Sequence, residues 1–175
     1  QEEPSSQEDL EKIPMLTRED ISREIAPIYN EEMKIADIPT VFHEIETNGI
    51  GYLDLMFDLS DVPEKDLPMV GLLQAVLGII DTEHYEYGEL FNEINRHTGG
   101  IGTSLEFYPD VTKVREKEFR ATFEIKAKAL YGQIPFAIRM MKEILTASKL
   151  DDEKRLKEIL SMTKTRLQDR FLSAG

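Results

Sequence analysis

The chain has no cysteine, which removes disulfides, thiolate metal ligands and cysteine nucleophiles together and leaves the compartment open. It also has no excess of base: 34 acidic residues stand against 21 basic ones, a net charge of -13. Phosphate backbones and anionic lipid headgroups both need a cationic footprint, so the expected partners include neither nucleic acid nor a membrane. No apolar run approaches the ~18 residues of a spanning helix, and no signal-peptide pattern opens the sequence, which favours the cytoplasm as the expected location. Histidine is scarce. Of the three, His43 is followed by Glu44-Ile45-Glu46-Thr47, which meets neither H-E-x-x-H nor H-x-x-E-H, and it falls in a segment that reads as a strand. His84 lies in a loop, and His97 lies in the last turn of a helix, where a cation suits the dipole. There is no internal repeat and no low-complexity tract.

What is present is a clear alternation of side chains. After the turn Thr47-Asn48-Gly49, Leu53, Leu55, Phe57 and Leu59 are apolar, while Tyr52, Asp54, Met56 and Asp58 are polar or amphipathic. A period of two marks a half-buried strand. Ile101, Thr103, Leu105 and Phe107 repeat the pattern, as do Phe119, Ala121, Phe123, Ile125 and Ala127; the short 109–118 loop predicts that these two strands form an antiparallel meander. A further strand is expected at 40–46, joined to the first by the Asn48-Gly49 turn.

Helices are expected at 66–80, 87–97, about 135–148, and from Asp151-Asp152 onward. The first is capped by Asp66, with a stripe of Leu67, Val70, Leu73, Val76, Leu77 and Ile80. The second presents Leu90, Phe91 and Ile94, and Gly99-Gly100 ends it. The third presents Ile134, Ile138, Met141 and Leu145. The last presents Leu156, Ile159, Leu160, Thr163, Leu167 and Phe171. A short helical turn capped by Thr17 is expected near the start. The order β-β-α-α-β-β-α-α predicts an α+β fold, an antiparallel sheet with helices packed on one face. Residues 1–15 read as an acidic linker and 16–175 as one domain, with both ends expected to continue into a longer protein.

Candidate chemistry is sparse. Gly99-Gly100-Ile101-Gly102 runs from helix into strand, the reverse of a phosphate loop, so these glycines are structural. Asp54, Asp58, Glu106 and Glu124 are expected on one sheet face and could in principle do acid–base work or bind calcium. Arg120, Lys126 and Lys128 share that face, and cross-strand ion pairing is the commoner outcome. The methionines, such as Met140 and Met141, read as core filler.

Several phrases carry a resemblance. These are residues 47–60, Leu90-Phe91-Asn92-Glu93-Ile94-Asn95-Arg96-His97-Thr98-Gly99-Gly100-Ile101, Lys126-Ala127-Lys128-Ala129-Leu130, Leu150-Asp151-Asp152-Glu153-Lys154-Arg155-Leu156-Lys157, and Ser173-Ala174-Gly175. In that order and spacing, over residues 13–175, they resemble the third domain of the presequence-protease branch of the insulinase/pitrilysin zinc metallopeptidases. The resemblance implies a four-domain enzyme in two halves joined by a helical hinge, whose end residues 1–15 would be. The halves close around a chamber in which unstructured peptides are degraded. Each domain has the fold of the mitochondrial processing peptidase subunits. Zinc sits on an H-x-x-E-H in the first domain, so no catalytic or metal residue and no cofactor is expected here.

Such sheet faces line the chamber in this family, so Tyr52, Asp54, Met56, Ser104, Glu106, Tyr108, Arg120 and Glu124 become candidate wall and substrate-contacting residues; the other outcome is a face covered by a neighbouring domain. The implied partners are the other domains of the parent chain and its peptide substrates. Two alternatives stand beside this one: a stand-alone, non-enzymatic interaction module of the same fold, and an enzyme using the carboxylates of the sheet face directly. An isolated piece with such broad apolar helices is expected to self-associate.

Overall fold

A computed structural model describes residues 16–24, 29–110, 112–113 and 118–173. The expected linker at 1–15 and the final Ala174-Gly175 lie outside the described residues. The chain divides into two compact units, residues 1–46 and 47–175, whereas the sequence placed the start of a single domain at residue 16.

In the first unit, a 3-10 turn at Arg18–Asp20 follows Thr17, whose N–H and Oγ1 both donate to Asp20 Oδ2 at 2.8 Å. Strands β1 (Glu31–Ile35) and β2 (Ile38–Phe42) pair antiparallel, from Glu31 opposite Phe42 to Ile35 opposite Ile38. Ala36 and Asp37 join them with φ of 49° and 66°, the two positive values of a two-residue hairpin turn. The strand expected at 40–46 is therefore corrected: it ends at Phe42, and its partner is β1. His43 follows it rather than lying within it.

In the second unit, β3 (Ile50–Asp58), β4 (Ile101–Pro109) and β5 (Phe119–Leu130) form an antiparallel sheet in the order β3-β5-β4. The expected β4–β5 meander is present, and β5 is central. The register places Leu55 and Thr103 on either side of Ile125, and Met56 and Ser104 on either side of Glu124. The Asn48-Gly49 turn has φ of 52° and 81°, with the Ile50 N–H donating to Thr47 O at 3.2 Å.

Four helices belong to the same unit: α1 (Leu67–Val76), α2 (Tyr87–His97), α3 (Ile134–Thr146) and α4 (Glu153–Ser173). The core joins Phe123, Ile125, Ala127 and Ala129 of β5 to Leu90 and Ile94 of α2 and to Ala137, Met140, Met141 and Ile144 of α3. All the apolar core residues of β5 are odd-numbered, so the helices pack on one side of the sheet, as expected of the α+β class. The observed order has one strand more than predicted, because β1 was not anticipated.

Three helical details differ from expectation. Helix α1 stops at Val76 because Gly78 adopts φ 85°; residues 77–80 turn, and Ile80 joins Val76 and Ile159 in a second apolar cluster. Asp66 ends a 3-10 turn (Glu64–Asp66) and makes no side-chain cap. The buried stripe of α3 is Ala137, Met140, Met141 and Ile144, which leaves Ile138 exposed; Phe91 of α2 is exposed as well.

Helix α4 starts as predicted, with the Arg155 N–H donating to Asp152 Oδ1 at 2.9 Å. The Arg155 guanidinium then donates to Ile79 O at 2.9 Å and lies 3.9 Å from the centre of the Tyr87 ring, pinning α4 to the 77–80 turn and to α2. Of the α4 stripe, Leu156, Ile159, Leu160 and Thr163 are covered, whereas Leu167 and Phe171 are exposed.

Candidate functional site

Side chains alternate along a strand, so the register decides which residues share a face. Tyr52, Asp54 and Met56 of β3, Ser104, Glu106 and Tyr108 of β4, and Arg120 and Glu124 of β5 all fall on the side away from the helical core. The eight predicted residues are thus brought onto one surface. Asp58, Thr122, Lys126 and Lys128 lie among them.

Glu124 is the centre of this face, and its side chain is 0% exposed. Oε1 accepts from the Tyr108 hydroxyl at 2.8 Å and from Thr122 Oγ1 at 2.5 Å. Lys126 Nζ lies 2.7 Å from Oε2, off the hydrogen-bonding axis, so that this contact is chiefly Coulombic. The same ammonium reaches Glu106 Oε1 at 3.4 Å and Asp54 Oδ2 at 3.7 Å. Ser104 Oγ, across from Glu124, is buried with no hydrogen-bond partner among the described residues. At the end of the face, Asp58 pairs with Arg120 at 3.4 Å and accepts from the Ser60 N–H at 2.8 Å.

Burial pushes the Glu124 carboxyl upward, but the adjacent Lys126 ammonium and donation from Thr122 and Tyr108 outweigh it and leave the group below its ordinary value. Asp54 moves the other way, raised first by burial and then by the Glu124 charge. Contact with the Glu124 carboxylate raises both Lys126 and Tyr108. The product is a salt-bridged network centred on a spoken-for carboxylate, the cross-strand ion pairing expected from the sequence.

These shifts have opposite consequences for acid stability. Glu124 titrates lower when folded than its unfolded value of about 4.3, so its contribution is complete above that pH and is lost as pH falls through the folded value. Asp54 titrates higher when folded than its unfolded value of about 3.9, so its contribution is present below that pH and is lost as pH rises through the folded value. Urea midpoints measured from pH 3 to 7 test this. Glu124→Gln should flatten the loss of stability in acid, and Asp54→Asn should cost nothing at pH 7. A steeper acid limb in Glu124→Gln would reverse the assignment.

The histidines are accounted for separately. His84 Nδ1 sits 3.1 Å from both carboxylate oxygens of Glu143. His97, in the last turn of α2 as predicted, lies 3.7 Å from Glu93 and packs on Phe136, with ring centroids 4.7 Å apart. Among the described residues, no three His, Cys, Asp or Glu side chains converge to hold a metal ion, so these donor sets do not fit a zinc site. At the end of α2, the Gly99 N–H donates to Lys128 O at 2.7 Å, and Gly100 takes φ 122° to start β4. No described helix is long and apolar enough to cross a membrane.

Lys126 holds the network together, yet it was outside the predicted eight. The same period of two placed it on the face, but as a paired surface charge. Thr122 also sits at an even position and reads from sequence as an ordinary strand residue.

Comparison with known proteins gives this surface its context. The family model described as peptidase M-16C associated matches residues 1–175. "Protein HypA" of Clostridium perfringens is 39% identical over 175 residues, covering 100% of this chain and 18% of that protein. "Presequence protease 1, chloroplastic/mitochondrial" of Arabidopsis thaliana is 27% identical over 176 residues, covering 100% of this chain and 16% of that protein. "Presequence protease, mitochondrial" of Drosophila melanogaster is 25% identical over 126 residues, 72% of this chain and 12% of that protein. The chain therefore spans less than a fifth of the length of each of these relatives. With its full length matched, the chain belongs to this peptidase-associated family.

Proposed function

We propose that this chain is a non-catalytic internal domain of a zinc-dependent, presequence-protease-like metalloendopeptidase, and that its polar sheet face forms part of the wall of the chamber where unstructured peptides are degraded. Zinc and the catalytic residues belong, in this reading, to the first domain of the parent, and the partners of this chain are the parent's other domains and its peptide substrates. The observation that supports it is the gathering of Tyr52, Asp54, Met56, Ser104, Glu106, Tyr108, Arg120 and Glu124 on the face opposite the helical core. Exposed Tyr52 and Met56 offer adaptable contact area, while the buried Glu124 stiffens the surface beneath them.

In the full-length protein, Tyr52→Ala and Met56→Ala should change kcat/KM by about two- to tenfold, the range of one lost aromatic or thioether contact. The change should differ from peptide to peptide, with the thermal midpoint held. Equal kinetics across a varied peptide panel would remove the wall assignment. The stand-alone interaction module differs in one respect that can be read from the gene: its reading frame would lack an H-x-x-E-H upstream of this domain.

A further inference from the structure

We propose that Asn48 is a covalent modification site, where the turn that opens β3 loses a side-chain amide spontaneously and isoaspartate and aspartate take its place. The Gly49 amide nitrogen attacks Asn48 Cγ, the bond from Cγ to Nδ2 breaks, and ammonia leaves with the Gly49 proton. The cyclic succinimide that results then adds water. Opening at the main-chain carbonyl carbon of Asn48 gives isoaspartate, with the chain running through Cβ; opening at Cγ gives aspartate. Water is the only co-reactant.

Asparagine occurs at Asn30, Asn48, Asn92 and Asn95, and all of these are exposed. Exposure therefore does not choose among them; the amide that follows each one does. Asn92 and Asn95 lie in α2, where the amides of Glu93 and Arg96 are tied into the helical ladder, and Asn95 Nδ2 donates to Phe91 O at 2.9 Å. Asn30 precedes Glu31, the first residue of β1, whose side chain crowds the nitrogen. Only Asn48 precedes glycine. Gly49 has no side chain to hinder the attack, and nothing lies within 4 Å of the place its Cβ would take. Its N–H has no acceptor among the described residues.

The closed turn holds the reacting atoms apart. With φ of 52° and 81° it has the left-handed pair of a tight hairpin turn, and ring closure requires the peptide plane between Asn48 and Gly49 to rotate out of it. Hydrogen bonds resist that rotation: the Ile50 N–H donates to Thr47 O at 3.2 Å, and the Tyr131 N–H to Gly49 O at 3.0 Å. Thr47 Oγ1 adds bonds to Ile50 O and, at 3.1 Å, to the Tyr131 hydroxyl. Thr47 is thus a latch, and the rate at Asn48 is set by how often the turn opens. The start of β3 is packed so closely that a Cβ at Gly51 would lie 2.7 Å from Ile134 Cδ1. The strand therefore cannot slide to absorb the extra backbone carbon of isoaspartate. That carbon is taken up in the turn, which loses its left-handed geometry and its bond from Tyr131.

Full-length protein held for weeks at mildly alkaline pH and physiological temperature tests this. Peptide mapping by mass spectrometry should find a gain of about one dalton at Asn48 at least about tenfold sooner than at Asn92 or Asn95, whose amides are protected by the helix. A protein L-isoaspartate methyltransferase should label the same peptide. Thr47→Val keeps the shape of the side chain and removes its hydrogen bonds; it should hasten the change about two- to tenfold, the effect of one such bond. Asn48 intact at the end, or converting no faster than Asn92 and Asn95, would overturn the proposal. Aspartate without isoaspartate would overturn the succinimide route, and an unchanged rate in Thr47→Val would overturn the latch.

Discussion

Lys126→Ala is expected to destabilise the domain by about 2–3 kcal/mol, somewhat below the usual cost of breaking a fully buried pair because the lysine itself reaches solvent. The loss arises at Glu124 rather than at the lysine. A carboxylate with 0% exposure would keep its hydrogen bonds from Tyr108 and Thr122 but lose the cation 2.7 Å from its second oxygen. Glu106 and Asp54, now 3.4 and 3.7 Å from the ammonium, would add their repulsion to the same spot. The double variant Lys126→Met, Glu124→Leu should recover most of the loss, since replacing a buried pair with apolar groups of similar size is often neutral or better. Urea denaturation of the wild type, Lys126→Met, Glu124→Leu and the double variant provides the coupling energy. A single variant within ~0.5 kcal/mol of wild type would mean that the two hydroxyls alone hold the carboxylate.

Ile125→Ala should be costlier, about 4 kcal/mol, a large part of the roughly 5–15 kcal/mol that typically holds a domain together. Ile125 is completely buried in the central strand, flanked by Leu55 and Thr103 in the register and packed in the cluster with Ala137, Met140, Met141 and Ile144 of α3. Close packing from both neighbouring strands and from the helix above leaves little room for collapse, so the cavity term should approach its full value. Ile138→Ala is the control: the same side chain on an exposed face of α3 should change stability by less than ~0.5 kcal/mol. Urea midpoints with an unchanged slope distinguish the two; similar losses would show that the core is placed wrongly.

The strands were legible wherever one face meets a core and the other meets polar surroundings. In β3, β4 and β5 every odd position points to the side of the helices, so a period of two identified both the strands and the shared face of Tyr52, Asp54, Met56, Ser104, Glu106, Tyr108, Arg120 and Glu124. The β1–β2 hairpin was not legible because its turn is Ala36-Asp37. Sequence patterns expect Asn-Gly there, and alanine at φ 49° gives no warning of a left-handed backbone. The face of α3 was misjudged for a different reason. Ile134, Ile138, Met141 and Leu145 and the true set of Ala137, Met140, Met141 and Ile144 are both regular helical stripes. Only the sheet beneath decides between them, and alanine at position 137 permits the close approach that selects the second. The importance of Lys126 was hidden because a lysine on an alternating strand looks the same whether it meets one carboxylate or three.

Helix α4 has one more consequence. At 21 residues it extends about 31 Å, yet Ile159 is its only fully buried residue, and its last turns leave Leu167 exposed and Phe171 81% exposed. Cooperativity reaches only as far as shared contacts do. The sheet, α1, α2, α3 and the first half of α4 should melt as one unit, whereas the far end of α4 should open at a small fraction of that free energy. Far-ultraviolet circular dichroism, which counts every helical turn, and tyrosine fluorescence, which reports on the packed region, should therefore follow different unfolding curves in the isolated chain.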